Sequence, residues 1–293
     1  MMNELISVIM PSYNTASYIE ESVQSVLNQT YRNLELIIVD DCSTDNTDEV
    51  VQHLLGDKRI RYYKNNENSG AAVSRNRALR EAKGRWIAFL DSDDLWEENK
   101  LEKQVLFMEE NGFSFSYTEY IEINEMGNEL GTKVSGPQII TKRGMHAYCW
   151  PGCLTVMYDR KAIGEIQIKD IKKNNDYAMW IEICKKTNCY LLTEVLAKYR
   201  KRSGSISRLN YSKLVRWHYR LWRDVEEKNP ICAISLTGLN LICGIYKKFK
   251  FVERGNSMRQ LVNNHEWGGG GPLKKFPCGG GQYAAGFSFY HPA

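Results

Sequence analysis

The chain has 293 residues, 43% of them hydrophobic and 25% charged, the balance of a soluble globular protein able to bury a substantial core as one domain or as one plus an appendage. Its eight cysteines lack the paired C-x-x-C spacing of a zinc site and form no repeating framework, and the chain opens on a strand-like run with no secretory leader pattern. A disulfide scaffold is therefore excluded, and free packing cysteines in a reduced, cytosolic compartment are predicted. The net charge of +4 is unevenly spread: residues 201–254 hold twelve Lys and Arg against four Asp and Glu, which suggests a surface that meets something anionic, phospholipid before nucleic acid.

The first hundred residues alternate strand and helix patterns. Leu5–Met10 is a short apolar run typical of a buried parallel strand. Ser17-Tyr18-Ile19-Glu20 has capping-box form and precedes apolar residues at helical spacing. A second strand is predicted over Leu34–Val39, a helix over Ser43–Leu55 with Asp45 as a cap, and a third strand over Arg59–Tyr63. A helix over Ala71–Ala82 and a fourth strand over Trp86–Leu90 complete a β-α-β-α-β-α-β rhythm, which calls for an α/β fold with a doubly wound, mostly parallel sheet. Beyond Trp96 the pattern predicts a helix over Glu97–Glu110, a strand over Phe113–Ile123, a loop over Gly127–Pro137 and a strand over Leu154–Tyr158. A helix over Asp176–Lys186, a strand near Tyr190–Leu192 and one long helix over Tyr211–Glu227 follow. Ile231–Tyr246 is apolar but short of a membrane span, so it reads either as an interfacial helix or as one packed on the domain. Residues 268–293, with eight glycines, three prolines and no acid, cannot build a core; the tail from 255 is read as disordered or non-native.

Three strand ends carry polar clusters: Pro11-Ser12-Tyr13-Asn14, Asp40-Asp41 and Asp91-Ser92-Asp93-Asp94. Ligands bind outside the carboxyl ends of the strands in such sheets. Crowded carboxylates repel unless a cation or ligand lies between them, and two acids separated by one residue suit Mg2+ or Mn2+ completed by substrate phosphates.

The runs Val8–Asn14, Ser25–Thr30, Val39–Asp45 and Asn68–Asn76, with Asp91-Ser92-Asp93 as a D-x-D, resemble the inverting family 2 glycosyltransferases of the GT-A fold, of the bacterial polysaccharide-assembly type. The likeness is dense over residues 5–96 and thin beyond. It implies a nucleotide-sugar-binding half over 1–96, a smaller acceptor half over 97–205 and C-terminal basic and apolar helices over 206–254. It also implies roles. Tyr13 would stack on the nucleobase, Asp41, with Asp40, would bond the base edge, and Pro11 would belong to the donor-binding site. Arg75 would lie by the diphosphate and the D-x-D, and Ser69 and Gly70 would belong to the donor-binding site. Asp91 would hold ribose or sugar and share the metal with Asp93. The family's general base matches Asp176 in Asn174-Asn175-Asp176-Tyr177-Ala178-Met179-Trp180, where Asn175 stands in place of the usual Glu. Asp176 could instead be only a helix cap, and Arg75 only a structural ion pair. Glu165 and Asp170 are the nearest upstream acids.

The function implied is transfer of a single hexosyl or N-acetylhexosaminyl unit from a UDP-sugar, with Mn2+ or Mg2+, to a glycan or lipid-linked glycan in cell-surface polysaccharide biosynthesis. Peripheral contact with anionic membrane at the inner face is expected, and no nucleic acid partner. The Q-x-x-R-W signature of processive members is absent, which favours single-sugar transfer. A nucleotidyltransferase would carry a Gly-rich basic loop after the first strand, and a dehydrogenase a G-x-G-x-x-G; neither is present. A silent nucleotide- or glycan-binding subunit remains the other reading.

Overall fold

The computed structural model describes residues 3–255 except 170, 172 and 203–210. The Gly-rich tail and Asp170 therefore lie outside the described residues. Strands β1 (Ile6–Ser12), β2 (Leu34–Asp40), β3 (Ile60–Lys64) and β4 (Trp86–Phe89) are parallel, in the order β4-β1-β2-β3, and alternate with helices α1 (Ile19–Leu27), α2 (Thr47–Leu54) and α3 (Ala71–Glu81). Every residue of β1 and β2 is buried, because helices cover both faces. Alternation along β1 sends Val8 and Met10 into one core with Val23 and Val26 of α1, and Ile9 into the other with Ala78 and Leu79 of α3.

The second half extends the same sheet with strands of mixed direction. After β5 (Leu95–Trp96) and α4 (Lys100–Asn111) come β6 (Phe115–Ile123), β7 (Glu129–Val134) and β8 (Ile139–Ile140). Helix α5 (Lys142–Ala147), strand β9 (Met157–Asp159), helices α6 (Arg160–Ile163) and α7 (Asn175–Cys184), and β10 (Cys189–Arg200) follow. β9 runs antiparallel between β4 and β6, and so joins the halves, while β10 runs parallel to β6. The chain closes with α8 (Tyr211–Arg220), α9 (Pro230–Lys250) and β11 (Val252–Arg254), the last paired with β7.

Several local expectations need correction. The Ser17 capping box does not form: α1 starts at Ile19 with no side-chain cap, and the carbonyl of Thr15 accepts the amides of Tyr18 and Ile19 instead. Ser43–Asn46 is loop, not helix, because Ser43 is bonded to Asp40 and Asp45 takes the amide of Thr47. Gly127–Pro137 is not merely loop; Glu129–Val134 makes a hairpin with β6, its turn closed by Asn124 Oδ1, which accepts the amides of Met126 and Asn128. Cys153–Thr155 is a 3-10 turn, and β9 begins only at Met157. β10 runs twelve residues, since its outer half gains pairing from β5 as well as β6. The helix from Tyr211 changes at Leu221 to a π-helical turn ending at Val225. The apolar helix extends to 21 residues, long enough by length and composition to cross a membrane. The seven cysteines among the described residues are free.

Candidate active site at the strand ends

β1 keeps register with β2 as far as Ser12 opposite Asp40, and with β4 as far as Ile9 opposite Phe89. Because β1 lies between β2 and β4, the three polar clusters leave the sheet side by side. Sharp turns follow: Asn14 and Cys42 take left-handed φ angles of 51° and 62°. Asn14 is held there by the amide of Thr44 at 2.8 Å, and its own amide donates to Ser43 Oγ at 2.9 Å. Pro11 is buried, whereas Tyr13 stands 45% exposed at the rim, its ring open to a ligand.

The two aspartates after β2 are engaged differently. Asp40 is wholly buried and accepts from the amide of Ser43 at 3.0 Å and from its hydroxyl. Asp41, 3% exposed, gathers four donors. Oδ1 accepts from Asn65 Nδ2 at 2.9 Å and from the Ser69 amide and Ser74 hydroxyl at 3.0 Å; Oδ2 accepts from the Gly70 amide at 2.7 Å. Asp41 thereby ties the 65–70 loop and the start of α3 to the end of β2. Gly70, the residue before α3, has φ 89°, a conformation that costs glycine nothing.

From the first turns of α3, Arg75 crosses the site. Its Nη2 reaches Asp91 Oδ1 at 2.5 Å and its Nη1 donates to Asn175 Oδ1 at 2.9 Å, while its buried Nε has no partner among the described residues. Burial opposes its charge, but the neighbouring acidic groups, Asp91 before Asp176, outweigh that and raise its pKa.

The acid loop after β4 is held from beneath and behind. Hydroxyls of Ser12, Thr15 and Ser92 form a buried chain at 2.9 and 3.0 Å. Arg200, 2% exposed, donates its amide to Asp94 Oδ1 at 2.8 Å, its Nε to the Asp93 carbonyl at 2.8 Å and its Nη2 to Glu21 at 2.5 Å. Asp93 pairs with Arg202 at 2.7 Å. Burial first, then repulsion from Asp91, raises the Asp93 pKa; burial and both neighbouring acids raise that of Asp94. Among the described residues no three His, Cys, Asp or Glu side chains converge to hold a metal by themselves. A hard cation could use the oxygens of Asp91 and Asp93 with the rest of its shell from a diphosphate, and it would relieve the repulsion that raises Asp93.

On the other bank, α7 opens at Asn175 after Asn174, whose left-handed φ of 60° makes the turn. Asp176 is therefore not the residue that caps the helix. Among the described residues it accepts one bond, on Oδ1 from the Tyr177 amide at 2.8 Å. Trp180 is fully buried, edge-on to Phe89 with centroids 5.2 Å apart, so it packs. Glu165 is exposed. His218 is buried, and burial pushes its imidazole pKa down to about 4.

The profile of glycosyl transferase family 2 matches residues 7–158, which span all three strand ends. The chain belongs to this family. This glycosyltransferase is 44% identical over 224 residues to a Bacillus subtilis protein named for teichuronic acid biosynthesis, TuaG, covering 76% of this chain and 88% of that one. It is 41% identical over 249 residues to the Escherichia coli UDP-Glc:alpha-D-GlcNAc-diphosphoundecaprenol beta-1,3-glucosyltransferase WfgD, covering 84% and 96%. Its fold is shared with Staphylococcus aureus TarS 1–349 in complex with UDP-GlcNAc, with a TM-score of 0.61 at 22% identity over 84% of this chain and 73% of that one.

The glycosyltransferase's expected site residues fall into two hydrogen-bonded groups, Asp41 with Ser69 and Gly70, and Arg75 with Asp91 and Asn175, the last two being close in sequence to Asp93 and Asp176. Sequence reasoning missed Arg200, Arg202 and Thr15. The two arginines stand some hundred residues from the acid loop, at the end of β10, and carry no local pattern that announces their target. Thr15 follows the recognised Pro11–Asn14 run directly, but only the fold shows its hydroxyl beneath Ser92.

Proposed function

We propose that this glycosyltransferase moves one sugar, with inversion, from a UDP-linked donor to a lipid-linked glycan in cell-surface polysaccharide assembly, at the cytoplasmic face of a membrane. The observation that carries the reading is Arg75, whose guanidinium joins Asp91 of the acid pair to Asn175, the immediate neighbour of Asp176. A donor-binding acid and a candidate base thus meet across one buried cation. The name of the Escherichia coli relative, which specifies a UDP-sugar and a diphosphoundecaprenol acceptor, supports the choice of both substrates.

In this reading Tyr13 stacks on the nucleobase, and Asp41 acts chiefly by ordering the loop that walls its pocket. Asp91 and Asp93 would hold Mn2+ or Mg2+, which when bound neutralises the departing diphosphate. Arg75 adds fixed positive charge on the same side from a guanidinium that is itself buried, where such charge counts more than in water. The second carboxylate oxygen of Asp176 takes the proton of the acceptor hydroxyl as the hydroxyl oxygen bonds to the anomeric carbon. The bond to the diphosphate breaks on the opposite side, and its electron pair leaves with UDP. Asn175 fits the scheme because a neutral amide accepts from Arg75 as a carboxylate would, without drawing its charge away from Asp91.

The test uses the purified full chain with UDP-glucose, UDP-N-acetylglucosamine and GDP-mannose, a GlcNAc-diphospholipid acceptor, and Mn2+, Mg2+ or chelator. The expected result is UDP release coupled to a product of inverted anomeric configuration by NMR. A retained configuration, or turnover with GDP-mannose alone, would overturn the proposal.

A further inference from the structure

We propose that the outward face of α9 is a docking surface for an anionic lipid bilayer. The helix is inside out for a soluble protein. Its fully buried positions are small or polar, Ala233, Thr237 and Asn240, with Leu236 and Cys243 part-buried against the core beside them, and a Cβ on Gly244 would stand 3.0 Å from the Tyr148 ring. Its outer face carries Ile231 at 79% exposure, Ile234, Ile242, Ile245 and Phe249 at 85%. At about 3.6 residues per turn these five fall on one stripe, and Lys248 and Lys250 fall on either side of it. Apolar residues centred between flanking ammoniums match the boundary between acyl chains and headgroups, where lysine stems lie along the apolar layer and their charges reach phosphate.

The length of α9 would also allow a span, but its inner face is bonded to the domain. Asn240 Nδ2 donates to Tyr177 Oη at 3.0 Å, and Lys247 Nζ donates to the Trp150 carbonyl at 2.7 Å. Those bonds lay the helix along the protein with its stripe facing out, in the plane of an interface. A second copy of the chain is the poorer occupant, because α9 contains no acidic residue and pairing two such helices would leave the lysines without counter-charge. Anionic headgroups supply it. Tyr177, next to Asp176, receives the Asn240 bond, so docking through the outer face would hold the acceptor side of the site at a defined position relative to the lipid surface. That last consequence rests on the lipid-linked acceptor proposed above; the docking itself does not.

Flotation of the full chain with phosphatidylcholine vesicles, with and without phosphatidylglycerol and free of any acceptor lipid, tests the surface. The wild-type chain is expected to float with the anionic vesicles and to be released by salt. Ile242→Glu combined with Ile245→Glu should lower that partition about tenfold or more at unchanged melting temperature, and Phe249→Ser should lower it less. Transfer to a soluble acceptor should be unaffected. Absent wild-type binding, or equal binding by all three proteins, overturns the proposal, as does a wild-type dimer that the double variant splits. Since the vesicles carry no acceptor, a chain that binds them but transfers no sugar upholds the docking surface and refutes the transfer reading alone.

Discussion

Replacing Asp41 by Asn separates two roles for this carboxylate, base recognition and loop anchoring. In the folded chain Oδ1 accepts three donors and Oδ2 accepts the Gly70 amide at 2.7 Å. An asparagine that keeps its carbonyl at the Oδ1 position sets its own NH2 against the Gly70 amide, donor to donor. One charge-assisted bond is lost, worth about 1.5–3 kcal/mol, and the other three weaken to neutral strength. The expected cost is about 2–4 kcal/mol in the absence of any nucleotide. For a chain of this size that lowers Tm by about 4–8 °C. Urea unfolding and scanning calorimetry of the two proteins measure it, and titration with UDP then gives the change in affinity. A variant with wild-type stability but lost UDP binding would refute the anchoring argument and return Asp41 to direct contact with the base.

Asp93→Asn is expected to abolish metal-dependent turnover while leaving the fold intact, as read by steady-state rates with Mn2+ and by circular dichroism. Asp176→Asn should cut the transfer rate about 10²–10⁴-fold at saturating donor with little change in donor affinity, since a positioned base contributes on that scale. Tyr13→Ala should weaken UDP binding by about 1–3 kcal/mol in calorimetry, the scale of one base-stacking contact. His218 has its pKa pushed by burial from 6.5 to about 4. The folded chain therefore binds fewer protons than the unfolded one between those values, and stability should fall as pH drops from 6.5 towards 4, by about 3 kcal/mol at most. His218→Gln should flatten that acid limb in urea titrations.

Local signals in this chain are strong where one strand or one turn is the whole message. The apolar runs of β1, β2 and β4 announce buried parallel strands because both faces are covered, and the residues just beyond them carry the polar clusters proposed as the donor site in consecutive positions. Pro11–Asn14, Asp40-Asp41 and the Asp91–Asp93 loop are legible for that reason, as is Asp176 at the head of α7. The apolar character of Ile231–Tyr246 is equally plain, but not which of its faces packs. Hydropathy averages a helix around its circumference, and only contact with Tyr148, Trp150 and Tyr177 turns the small and polar side inward. The same limit hides β7, whose polar sequence becomes a strand through pairing with β6 and β11. It also hides the commitment of Asp41, which depends on four donors brought from residues 65–74. Arg200 and Arg202 sit about a hundred positions from the acids they hold, and an isolated arginine in sequence has no direction. What the sequence determined by itself is the parallel half-sheet and the acids at its edge, since these follow from the period and order of residues along the chain. What only the tertiary structure decided is which guanidinium meets which carboxylate and which face of the last helix looks outward, because those are contacts between segments that no local pattern encodes.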